Sequence, residues 1–320
     1  MKMIRSLTKF LDERLFSTNN QIQRIIVLLG IAIVLAAVSF GGYYYYDRYY
    51  TNQPKVVAQT LAEAEQAVRD DPQNVEKRLS LAETYMAALR YEEALAQANQ
   101  VYSTDPENQV AWLVIGVSNA NTGKPTEAIE PLTKFFQARK DEEMPGLDKQ
   151  LQTAVYYLGD SYLQLGQPDK AVEPLEMGAI WSGTDADVMY KLGMAYSGIK
   201  EYDKATAVLQ RATAFVPDFR EAYQAMVTVY EASNQPDFAN YARGMVAYSQ
   251  KDYDGALQLL LKAVQAQPGF APASAGLGLT YEALGDLKNA KASYETAALL
   301  DPTNFTASQG VLRMEAALKK

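Results

Sequence analysis

Residues 274–302 read SAGLGLTYEALGDLKNAKASYETAALLDP, and this stretch decides the fold. Leu277, Gly278 and Tyr281 fall on one helical face at spacings of one and three. Gly285 then marks a turn, Ala290, Tyr294 and Ala297 mark a second helical face, and Asp301-Pro302 ends it. Apolar residues at three- and four-residue intervals predict amphipathic helices. A glycine between two such runs suits the left-handed backbone that ends a helix, and a proline prevents the second from continuing. The stretch is a helix-turn-helix of about thirty residues that buries one face of each helix.

Working outward, the same unit recurs. LAETY at 81–85, IGVSN at 115–119, LGDSY at 158–162 and LGMAY at 192–196 superpose on LGLTY at 277–281. An alanine follows each about nine residues later: Ala94, Ala128, Ala171, Ala205 and Ala290. Asp105-Pro106, Pro217, Pro268 and Asp301-Pro302 close the units, and Pro72 ends an earlier partial one. The period is 34 residues, with registers 75–108, 109–142, 152–185, 186–219, 237–270 and 271–304. Self-similarity at a fixed period of this length is the signature of a stacked array in which each unit packs only on its neighbours. A small residue at position eight lets the first helix of the unit (helix A) approach the second (helix B) closely, and the alanines at positions twenty and twenty-seven do the same from helix B.

This pattern resembles the tetratricopeptide repeat (TPR) family over roughly residues 56–318, with Trp112 supplying the family's tryptophan in the second unit. The resemblance implies an all-α, TPR-type right-handed helical solenoid of about six to seven helix-turn-helix units plus caps, residues 56–70 leading and 305–318 closing. Two departures break the period. Nine residues, 143–151, separate the second and third units, and a further seventeen, 220–236, supply one A-type helix with Tyr223, Met226 and Tyr230. An odd helix cannot preserve A/B alternation, so a change of superhelical direction is expected near 220–252, dividing the solenoid into two packed arms.

Ahead of the repeats the chain changes character. Residues 1–24 hold five bases and two acids, a local +3, whereas the remainder holds 25 bases and 36 acids, or −11. Between them residues 25–46, IIVLLGIAIVLAAVSFGGYYYY, carry no charge. As a helix this run covers ~33 Å, enough to cross the hydrocarbon core. It reads as a single transmembrane helix inserted in membrane lipid; a cleaved signal peptide ending near Ala37-Val-Ser39 is the rival. Tyr43, Tyr44, Tyr45 and Tyr46, with Tyr49 and Tyr50, form the aromatic belt of one membrane interface. The basic flank keeps the N-terminus cytoplasmic and places the solenoid outside the cytoplasm, in the periplasm or beyond. Residues 3–16 are amphipathic, with Ile4, Leu7, Leu11 and Leu15 on one face, and fit the inner leaflet. Residues 47–55 are a short linker.

The chain has no cysteine and no histidine. That removes thiolate nucleophiles, Cys/His zinc sites and the usual neutral-pH general base. No phosphate loop, dinucleotide fingerprint or nucleophile elbow occurs. The acid clusters Glu92-Glu93 and Asp141-Glu142-Glu143 lack calcium-loop spacing. No enzyme and no cofactor is expected, and an acidic solenoid is a poor nucleic-acid partner. Asn304-Phe-Thr306 matches a glycosylation sequon, yet its position at a helix start suits capping.

The family binds through the concave face that helix A lines, at positions five, nine and twelve of each unit. Here those positions supply Glu83, Leu113, Tyr156, Asp160, Tyr190 and Met194, with Gln224 and Glu231 from the half unit and Ala275, Leu279 and Glu282 from the last. The Lys/Asn/Arg pattern that clamps a carboxylate terminus in TPR co-chaperones is absent, and Lys191 is the one nearby base. An extended or helical segment with apolar anchors and basic flanks is the expected partner. The implied function is a membrane-anchored scaffold, assembly factor or accessory subunit binding other proteins of a membrane complex. A chaperone-like factor at the protein-export translocon and a self-assembling homo-oligomer are the alternatives.

Overall fold

The computed structural model describes residues 53–319. The apolar run 25–46, the amphipathic segment 3–16 and the tyrosine belt 43–50 lie outside the described residues. Among the described residues there are fifteen α-helices, one short 3-10 turn and no strand, and no helix there is long and apolar enough to cross a membrane. The chain forms two compact units, one ending at Lys77 and one from Arg78 onward.

In the first unit α1 (Gln53–Asp70) leads, with Arg69 paired to Glu65 at 3.6 Å. The Asn74 side chain accepts from the Lys77 amide at 3.0 Å and donates to Asp71, fixing the start of α2 (Val75–Ala87). In the second unit α2 continues into α3 (Tyr91–Thr104), then α4 (Gln109–Asn121) and α5 (Pro125–Arg139), α6 (Lys149–Gln164) and α7 (Pro168–Trp181), α8 (Ala186–Gly198) and α9 (Tyr202–Phe215). After these come α10 (Arg220–Ala232), α11 (Pro236–Ser249), α12 (Tyr253–Ala266), α13 (Ala271–Ala283), α14 (Leu287–Leu300) and α15 (Phe305–Leu318). From α3 to α15 consecutive helices pack on one another, the arrangement of a helical solenoid.

Position eight explains the pairing. A Cβ added at Gly116, Gly159, Gly193, Gly244 or Gly278 would stand less than 3.0 Å from Leu132, Leu175, Leu209, Leu260 or Tyr294 respectively, each at position twenty-four of the facing helix B. Those five side chains are all fully buried, and burying a leucine stabilises by about 1.5–3 kcal/mol. Position fifteen explains the turns. Leu89, Gly123, Gly166, Lys200, Asn234, Lys251 and Gly285 all have positive φ between 56° and 81°. Only three are glycines, so the register enforces the left-handed residue even where the side chain disfavours it.

The two irregular stretches behave differently. Across 143–151 the chain makes a 3-10 turn at Pro145–Leu147, and Asp148 then caps α6 by accepting from the Gln150 and Leu151 amides. The last three residues of that stretch are therefore the first turn of a lengthened helix A, not insertion. At 220–236, α10 ends in the A-type turn at Asn234, and α11 packs on it as a helix B would; α11 then ends in another A-type turn at Lys251 and pairs with α12. One helix thus serves as B of one unit and A of the next. Alternate helices touch along α4, α6, α8 and α10, and then along α11, α13 and α15, so the parity of the array shifts at this point. The whole shift lies inside the second compact unit, under a continuous core from Ala171 to Leu277.

Candidate functional site

Four of the sequence-derived residues meet on consecutive A helices. Tyr156 and Asp160 lie one turn apart on α6, and Tyr190 lies on α8 beside Lys191. The Lys191 Nζ donates to Asp160 Oδ1, and Gln164 Nε2 donates to Asp160 Oδ2 at 2.7 Å. The same ammonium stands 5.9 Å from the Tyr156 ring centroid and 5.6 Å from that of Tyr190, within cation–π range. Phe219, in the turn before α10, packs on Tyr190 with centroids 5.4 Å apart. Tyr156 meets Tyr157 edge to face at 5.2 Å. All of these rings are half-buried, so an aromatic strip crosses α6, α8 and the start of α10 with an ion pair set among its rings.

Burial works to lower the Lys191 pKa, but the hydrogen bond and charge of Asp160 outweigh it and leave the ammonium above its ordinary value. Burial raises the Tyr156 hydroxyl above its ordinary value, against the opposing charge of Lys191. The strip therefore sets the Tyr156 and Tyr190 rings around a charge pair neutralised from within. Lys191 is not a free cation.

The remaining predicted residues divide. Met194 is exposed on α8, and Gln224 is exposed on α10. Leu113 is only 3% exposed, in a core with Trp112, Val117 and Leu158, and offers no surface. Glu83 accepts from Gln150 Nε2 at 3.1 Å, Glu231 pairs with Arg243, and Glu282 takes a bidentate pair from Arg313 at 3.0 and 2.8 Å as well as the Tyr294 hydroxyl at 2.6 Å. The Arg313 hydrogen bonds hold the Glu282 carboxyl below its usual value. Every acid that the inner positions supply is thus already engaged by its own chain, so basic flanks on a partner find no idle carboxylate at these positions. Aromatic contact is what the site offers. Asn304 caps α15, its side chain accepting from the Ala307 amide at 2.9 Å. Among the described residues no group of acidic side chains is placed to hold a metal ion.

Sequence reasoning missed Phe219. It lies outside helix A, and its one signal was an aromatic residue directly before the odd helix.

Among curated proteins none matches the chain. Many solved structures are similar, three of them as follows. A crystal structure of MamA is 24% identical, with 54% of this chain and 95% of that one covered and a TM-score of 0.46. YrrB, a TPR protein with an unusual peptide-binding site, is 18% identical, with 66% and 95% covered and a TM-score of 0.47. The C-terminal part of a TPR repeat-containing protein from Cytophaga hutchinsonii is 18% identical, with 84% and 99% covered and a TM-score of 0.47. Family models described as tetratricopeptide repeat match residues 79–141 and 217–271, 153–177 and 187–218, and 247–314. Together they span well over half of the sequence. The chain belongs to the tetratricopeptide repeat family.

Proposed function

We propose that this protein is a membrane-anchored interaction scaffold, an assembly or accessory subunit that binds other proteins of a membrane complex on the extracytoplasmic side. The observation that carries the binding role is the Tyr156–Tyr190–Phe219 strip. Half-exposed aromatic rings on adjoining helices supply contact area at low conformational cost, and aromatic residues are enriched where proteins bind. The internal Lys191–Asp160 pair leaves the strip without net charge, which suits an apolar or aromatic segment laid across the A helices. The anchor rests on the uncharged run 25–46 and its basic flank.

Full-length protein purified in mild detergent should bring down a fixed set of membrane subunits. The double substitution Tyr156→Ala, Tyr190→Ala should reduce that recovery by tenfold or more, since interface aromatics contribute about 2 kcal/mol or more each. Helicity at 222 nm should stay near that of the parent protein. Unchanged recovery would move the interface off this strip. Heterogeneous clients with export components would indicate the chaperone role, and regular multimers of the chain alone would indicate self-assembly.

Orientation has its own check. Protease added to intact spheroplasts should digest residues 56–320, and complete protection would reverse the assigned side of the membrane.

A further inference from the structure

A cleft opens beside the parity shift. In a regular solenoid the exposed side of helix B faces outward. Here the B helix α9 contributes Arg211 and Phe215 to the lining of a cleft of about 870 Å³. The lining also includes Leu279 at an inner position of α13 and Asn304, Phe305 and Thr306 at the start of α15. The volume lies within the ~300–1,000 Å³ range of ligand clefts.

Its chemistry is uneven. Phe215 is 49% exposed and Phe305 is 70% exposed, two large apolar rings given to the cleft and not to the core. The one base on its walls, Arg211, is exposed and has no acidic partner among the described residues. The Asn304 side-chain amide donor and the Thr306 hydroxyl likewise have no protein acceptor there, since Asn304 spends its oxygen on the cap. The one acid on the walls, Asp301, is tied into its own turn by the Thr303 amide at 2.9 Å and hydroxyl at 2.6 Å. Three idle donors, one of them charged, thus stand beside two exposed phenyl rings.

We infer that this cleft is a second protein-binding site, distinct from the Tyr156–Tyr190 strip, that takes an extended internal segment of a partner bearing an aliphatic or aromatic side chain next to a single acidic one. The apolar side chain lies between Phe215 and Phe305, and the carboxylate accepts from Arg211. One carboxylate and not an acidic run is specified, because residues 25–320 carry −11 overall and repel concentrated negative charge. The cleft is not enclosed, so the segment need not end inside it.

The test uses the purified full-length protein and arrays of short peptides, acetylated and amidated at their ends. Each peptide places Glu or Gln beside a Phe or Leu. Glu peptides should bind about tenfold more tightly than their Gln counterparts, the scale of a charge-assisted hydrogen bond. Arg211→Gln should erase that preference, Phe305→Ala should weaken both sets, and Tyr156→Ala with Tyr190→Ala should change neither. Both cleft residues are exposed, so the variants keep their fold. Equal binding of Glu and Gln peptides, a Glu preference that survives Arg211→Gln, or binding lost in the Tyr156/Tyr190 variant would overturn the assignment. Binding seen only when the peptide's C-terminal carboxylate is left free would overturn it too, moving the ligand to chain termini.

Discussion

Gly159→Val should destabilise the protein by ~1–3 kcal/mol, the usual cost of forcing extra carbon into a packed core. The β-carbon alone would stand less than 3.0 Å from three branch carbons of Leu175, which is fully buried and has no room to retreat. The helices must then part, and the loss spreads to the neighbouring pairs because each unit is stable only on the next. The same position in α15 provides the control. Leu312 occupies position eight there, no helix B follows among the described residues, and its side chain is 60% exposed. Leu312→Val should therefore stay within ~0.5 kcal/mol of the parent, as surface changes do. Urea unfolding followed by circular dichroism measures both. A Gly159→Val protein as stable as its parent would mean that α6 and α7 do not meet at the distance described.

That contrast also shows how far the sequence could be read. Position eight is small at Ala82, Gly116, Gly159, Gly193, Gly244 and Gly278, and large at Val227, whose partner α11 doubles as the A helix of the next unit, and at Leu312, after which no helix B follows among the described residues. The helix pairs, the odd helix and the terminal helix were all legible from that alternation. The left-handed turns were legible only at glycines; Leu89, Lys200 and Lys251 adopt the same backbone because the 34-residue register leaves them no alternative. The strip was partly legible, since Tyr156, Asp160 and Tyr190 share inner positions. Leu113 shares them as well and is buried, because an aliphatic side chain packs against the next A helix as readily as it faces solvent. The cleft was not legible at all. Arg211 and Phe215 lie one turn apart on α9 but far in sequence from Phe305, and only the fold brings them to one cleft.

Because α11 serves two units, the aromatic residues around it join the two halves of the array, and Tyr241→Ala should uncouple them. Tyr241 is buried and meets Tyr223 and Phe270 edge to face, with centroids 6.0 and 5.1 Å apart. Phe238, one turn earlier, stacks on Tyr230 at 5.5 Å and meets Phe270 at 4.9 Å. Burial raises the Tyr223 and Tyr230 hydroxyls to about 12 and that of Tyr241 well above its ordinary value, so all three stay neutral up to strongly alkaline pH. Removing the Tyr241 ring should cost ~3–5 kcal/mol, as other buried aromatic truncations do. The loss falls on the junction, and in a one-dimensional array a weakened nearest-neighbour interface lets the two sides unfold separately. The expected result is two thermal transitions in place of one, with limited proteolysis cutting first between residues 216 and 236. Tyr241→Phe keeps the ring contacts and should lose no more than ~1.5 kcal/mol, the worth of one hydrogen bond, with the single transition preserved. A single transition at the parent's midpoint in Tyr241→Ala would show that the halves are held together elsewhere; a split transition in Tyr241→Phe would assign the coupling to the hydroxyl and not to the ring.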